Sequence, residues 1–143
     1  MGRGNASDRL GAAKALWRDG HFRNAVSSAA EALGVSVKHR VGRKDIADTS
    51  LWRETFSSDD PKSGKPRLRW PADATDLTVK SINEGLRSFA PGVQMTIRNS
   101  ATHQLDDLDE QAALERLATL SLLARWLDEC DLVEAPAEGQ PPV

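Results

Sequence analysis

One cysteine, Cys130, is the only thiol in the 143 residues. It cannot close an internal disulfide, and Glu129 and Asp131 beside it disfavour a thiolate, so it reads as structural. No run approaches the roughly 20 apolar residues of a membrane span. The opening Met-Gly-Arg-Gly-Asn-Ala-Ser lacks the apolar core of a secretory signal. With Ser7 one place late and Arg3 intervening, it also misses the usual myristoylation pattern. The expectation is a cytoplasmic protein without a membrane partner. Metal ligands are scarce: His21 and His39 are isolated, no Cys-x-x-Cys or His-x-x-x-His occurs, and Asp106, Asp107 and Asp109 look like a helix start rather than a cation cage. Neither Gly-x-Ser-x-Gly nor Gly-x-x-x-x-Gly-Lys is present, which argues against a serine hydrolase and a P-loop enzyme. No metal and no cofactor are expected.

What is there is enough chain for one domain that buries a core without staples. The expected division is a single helical domain over 1–133 and a disordered tail over 134–143, where three prolines fall without periodicity. The net charge of −2 conceals an asymmetry: residues 1–103 carry 17 Lys and Arg against 11 Asp and Glu, and residues 104–143 carry 2 against 10. A basic body with an acidic end could meet a polyanion; an uneven solvated surface explains the same counts.

Helical periodicity dominates. Ser7 or Asp8 can cap a first helix carrying Leu10, Ala13, Leu16 and Trp17 on one face, ending at Asp19-Gly20. A second follows at once through Phe22, Ala25, Val26, Ala29, Leu33 and Val37, with Gly34 either a close-packing point or a break. A third is signalled by Asp73 or Thr75 as cap and by Ile82, Leu86, Phe89, Val93 and Ile97, with Pro91 kinking or restarting it. In a fourth, Asp107 and Glu110 form a capping-box pattern ahead of Ala113, Leu117, Leu120, Ala124 and Leu127. Leu114, Leu123 and Trp126 widen that seam. The fold class is therefore all-α, a bundle of four to five helices. Residues 40–72 form a basic insertion with room for a β-hairpin and one short helical stretch near 49–56. Arg67-Leu68-Arg69-Trp70 alternates like a strand, and Lys62, Lys65, Arg67 and Arg69 are candidate RNA-binding residues.

The most chemically suggestive stretch is Ile97-Arg98-Asn99-Ser100-Ala101-Thr102-His103. An arginine holds phosphate with a planar fork of donors, and a histidine moves a proton near neutral pH. On one continuous helix Arg98 and His103 would stand about 140° apart on the wheel. They can share a site only if the chain breaks between them, which an Asp107 cap predicts. The competing reading pairs Arg98 with an acid such as Asp106 and leaves His103 on a surface loop. Trp17 and Trp126 read as core. Trp52 and Trp70, among the basic residues, either stack on exposed bases or pack the insertion onto the body.

Gly20 to Leu33, the irregular middle, Ile97 to His103 and the alanine- and leucine-rich last helix together resemble the Ymh-type uncharacterised prokaryotic proteins, which are similar to the HEPN superfamily with its Arg-x(4 to 6)-His motif. The likeness covers about residues 8 to 130. It implies a HEPN-like bundle and a metal-independent endoribonuclease acting in a toxin-antitoxin or anti-phage abortive-infection system. Such proteins are usually homodimers with motifs facing one cleft, and an antitoxin or defence-system protein would be a further partner. Carried over by position, Arg98, Asn99 and His103 are the catalytic candidates. Ser100 stands where the family often has proline, and Thr102 where it often has alanine. The alternative is a non-catalytic helical module binding nucleic acid or a partner protein. A tetratricopeptide-like pair is disfavoured because the pattern occurs once and a solenoid needs several copies.

Overall fold

The computed structural model describes residues 11–99 and 108–137. Two glycines end its first two helices. Gly20 (φ +81°) follows α1, Gly11–Arg18, and Gly42 (φ +66°) follows α2, Phe22–Val41. At the first, His21 N–H bonds the Leu16 carbonyl and Gly20 N–H that of Trp17. At the second, Arg43 N–H bonds Lys38 and Gly42 N–H bonds His39. Each is the paired closure that uses up the last helical carbonyls and needs a left-handed residue. The tight link packs α1 on α2, with the Trp17 and Phe22 rings 4.6 Å apart. Helix α2 passes through Gly34 unbroken and buries Ala25, Val26, Ala29, Ala30, Leu33, Val37 and Val41 along one side.

Helix α3, Asp48–Thr55, turns Leu51 and Trp52 into the core, so Trp52, at 3% exposure, is a packing residue and not a base-stacking platform. Trp70 is partly buried against the same core. Helix α4 spans Leu77–Val93 and is capped by Asp76, whose carboxylate accepts from Thr78 and Val79 N–H at 2.8 and 3.2 Å. This corrects the expected Asp73 or Thr75 cap: those two instead close a turn on each other, Asp73 accepting from the Thr75 amide and hydroxyl. Helix α4 continues through Pro91 and does not restart there. Beyond it the hydrogen-bond register widens into a π-helical segment, Gln94–Arg98, with Asn99 N–H bonded five residues back to Gln94.

Helix α5, Glu110–Glu129, packs along α2 and completes the bundle. Its cap is Asp109, accepting from Ala112 N–H at 2.8 Å. Asp109 takes the capping position two residues beyond the expected one, and Asp107 lies outside the described residues. Leu120, Leu123, Ala124 and Leu127 are buried, Trp126 packs on Phe89 with centroids 5.7 Å apart, and Leu114, expected in the seam, is exposed. Arg40 of α2 donates to the Leu127 and Cys130 carbonyls, placing a cation on the open end of α5.

Strand β1, Arg67–Arg69, does not pair within the insertion. Its partner is β2, Asp131–Val133, antiparallel with Leu68 opposite Leu132. Within the insertion, pairing is limited to one Lys62–Lys65 bridge closing a turn at Gly64 (φ +71°). Residues 134–137 are irregular chain, and the rest of the expected disordered tail lies outside the described residues. Among the described residues no helix is long and apolar enough to cross a membrane.

Candidate functional site

Gln94 and Arg98, four residues apart on the π-helical segment, line one cleft of about 190 Å³. Its other walls include Glu31 and Lys38 of α2 and Asp48 and Trp52 of α3. Arg98 is partly exposed, its guanidinium 3.9 Å from the Asp48 carboxylate and its Nη1 donating to Asn99 Oδ1 at 3.3 Å. At 3.9 Å charge attraction persists but no hydrogen bond forms, so among the described residues most of the fork's donors stay free.

Behind Arg98 runs a buried relay. Trp52 Nε1 donates to Gln94 Oε1 at 3.1 Å, and Gln94 Nε2 reaches Asn99 Oδ1 at 3.4 Å. Gln94 is 5% exposed, a polar side chain placed in the core and satisfied at both ends. Asp48, facing Arg98, has φ +54°, a left-handed backbone that non-glycine residues rarely hold and that costs on the order of 1–2 kcal/mol. Such outliers gather where geometry serves a site.

The sequence candidates separate into three groups. Arg98 lines the cleft, and Asn99 lies directly behind it, joined to it by the Nη1–Oδ1 hydrogen bond. His103, with the Ser100 and Thr102 that distinguish this copy of the motif, lies outside the described residues, as does Asp106. The four basic residues of the insertion do not line this cleft. Lys62 and Lys65 are exposed at the turn, and Lys62 borders a separate hollow with residues 134–137. Arg67 is 4% exposed and donates to the Glu54 and Asp59 carbonyls at 2.7 and 3.3 Å. Arg69 donates to the Ser57 and Asp59 carbonyls, and burial first, then the Arg67 charge, lowers its pKa. Both arginines therefore tie the 54–59 segment to β1.

A fifth basic residue works the same way. Arg43 is buried with Nε and Nη2 each 2.8 Å from the Asp45 carboxylate and Nη1 on Glu54 at 3.3 Å, locking the link between α2 and α3. These bonds raise the arginine's pKa and hold the Asp45 carboxyl down at about 2. Cys130 is no nucleophile: burial pushes its thiol up to about 11.

Gln94, Asp48, Lys38 and Glu31 were not singled out from the sequence. Gln94 carried one usable signal, a polar residue four before Arg98 and next to the apolar Val93 position. Asp48 carried none.

The architecture defines a small all-α bundle with an arginine-edged cleft of mixed polar and apolar lining at the end of its fourth helix. Residues 9–127 match the family described as protein of unknown function (Hypoth_Ymh), and the chain belongs to that family. No curated protein and no solved structure matches it.

Proposed function

We propose that the chain is a HEPN-like, metal-independent endoribonuclease that cleaves cytoplasmic RNA, working as a homodimer in a toxin-antitoxin or anti-phage abortive-infection system under a partner protein's control. The observation that carries the reading is the state of Arg98. It stands at the edge of a cleft, 3.9 Å from the Asp48 carboxylate and, among the described residues, with donors to spare, next to Asn99 and five residues before His103. That suits a group meant to meet a phosphate. The likeness of the motif to the HEPN pattern adds the reaction class.

In this mechanism the ribose 2′-oxygen attacks the adjacent phosphorus, and the P–O5′ bond breaks to leave a 2′,3′-cyclic phosphate. His103 takes the 2′-hydroxyl proton, and the His103 of a second copy gives a proton to the departing 5′-oxygen. Arg98 stabilises charge growing on the non-bridging oxygens, with Asn99 as a second donor. Because the RNA supplies its own nucleophile, DNA should be spared. Lys62 and Lys65, exposed at their turn, are the better placed of the basic four to hold flanking phosphates.

The test compares RNA with the same sequence 2′-O-methylated, both in EDTA. Cleavage of the first alone supports the reading; no cleavage of diverse RNAs, or equal cleavage of both, overturns it. One observation favours a non-catalytic interaction module instead. An apolar hollow of about 410 Å³ lies between α1, α2 and α5, lined by Ala13, Trp17, Leu114 and Leu117. Leu114 there is 51% exposed.

A further inference from the structure

The relay behind Arg98 has a direction. An indole N–H donates and cannot accept. Trp52 is buried, so its donor must be met, and Gln94 Oε1 meets it at 3.1 Å. That fixes which end of the Gln94 amide faces the core, and leaves its Nε2 turned toward Asn99. Nε2 can only donate, so Asn99 must turn its oxygen inward, where Arg98 Nη1 donates to the same atom at 3.3 Å. The Asn99 nitrogen is left as the end of the amide turned away from the relay. Were Asn99 reversed, its NH₂ would face two donors and all three would lose a partner.

We infer that Gln94, held by Trp52, is a positioning residue that turns the Asn99 nitrogen outward beside the Arg98 guanidinium, so that the two present donors alone and select a phosphate oxygen. The inference rests on the ribonuclease reading only for the identity of the anion as an RNA phosphodiester. The polarity itself follows from a tryptophan 42 positions away in sequence from the glutamine it orients. It also accounts for a buried glutamine on the π-helical segment, where wider turns often mark functional positions.

Binding of a 2′-O-methyl RNA, which cannot be cleaved, reads the effect on the phosphate. Trp52→Phe removes the donor without adding charge and should weaken binding by roughly three- to tenfold. Gln94→Glu, which offers Asn99 an acceptor and so favours its reversed orientation, should weaken it further. Introduced into Asn99→Ala, Trp52→Phe should change affinity no further, whereas a purely structural role would leave its penalty intact there. Unchanged affinity in Gln94→Glu, or additive losses in the double variant, would overturn the inference. Side-chain amide hydrogen exchange by NMR reads the relay without any ligand. In the wild type the Gln94 NH₂ should be protected and the Asn99 NH₂ open, with the Gln94 protection lost in Trp52→Phe. The reverse pattern overturns the relay. That expected pattern in a protein that binds no RNA would uphold the relay and sink the ribonuclease reading alone.

Discussion

The Arg98 guanidinium lies 3.9 Å from the Asp48 carboxylate, close enough for attraction and too far for a hydrogen bond. A partly exposed pair of this kind contributes at most about 1 kcal/mol to stability. Arg98→Ala should therefore lower the thermal midpoint by a few degrees at most while cutting RNA cleavage by about 100-fold or more. Arg98→Lys should recover little, since an ammonium cannot present the planar fork. Calorimetry and a cleavage time course measure the two sides; a large stability loss would assign Arg98 to the fold.

Asp48→Asn makes the opposite change at the same place. It removes the carboxylate that competes with phosphate for Arg98, and asparagine tolerates the left-handed backbone at φ +54° better than most residues. Affinity for uncleavable RNA should rise severalfold, read by fluorescence anisotropy. A fall would mean that Asp48 holds Arg98 in place instead of competing for it.

The insertion's basic residues should divide by burial. Lys62→Gln with Lys65→Gln should leave stability alone and flatten the salt dependence of RNA binding, by roughly 0.7 in slope for each single-strand phosphate that is no longer neutralised. Arg67→Ala should instead cost about 1–3 kcal/mol, because the Glu54 and Asp59 carbonyls lose their charged donor. Denaturant unfolding and salt titrations separate the two behaviours.

Asp45 supplies an acid limb to stability. Hydrogen bonding to Arg43 holds its carboxyl at about 2 in the folded chain, against an ordinary value of 3.8. The folded value is the lower one, so the contribution is complete above about pH 5 and fades as pH falls toward 2. Asp45→Asn should flatten the stability curve across that window and leave its shape above about pH 5 unchanged, as pH-resolved thermal melts would show.

The helices were legible because apolar spacing and the Asp19-Gly20 stop are local signals, and the stripe Ile82 to Ile97 matched α4 and its continuation. Caps were less so: Asp73, Thr75 and Asp76 all carry a capping oxygen, and backbone geometry alone decides among them. The partner of β1 was hidden because a three-residue strand pairs with a segment some 60 positions on, and loop closure at that range leaves no pattern. Arg67 and Arg69 read as a phosphate surface because composition cannot tell a guanidinium in water from one turned onto carbonyls. In the cleft, Arg98 and Asn99 were visible as a motif. Asp48 and Gln94 were not, and Trp52 was visible without its bond to Gln94, since each meaning depends on a neighbour brought close only by the fold.

The most direct test of the central claim compares the purified wild type with His103→Ala on a single RNA in EDTA, with the product ends determined. The account predicts wild-type fragments ending in a 2′,3′-cyclic phosphate and no cleavage by the variant at unchanged thermal stability. Equal cleavage by His103→Ala, or products with 3′-hydroxyl ends, would contradict it.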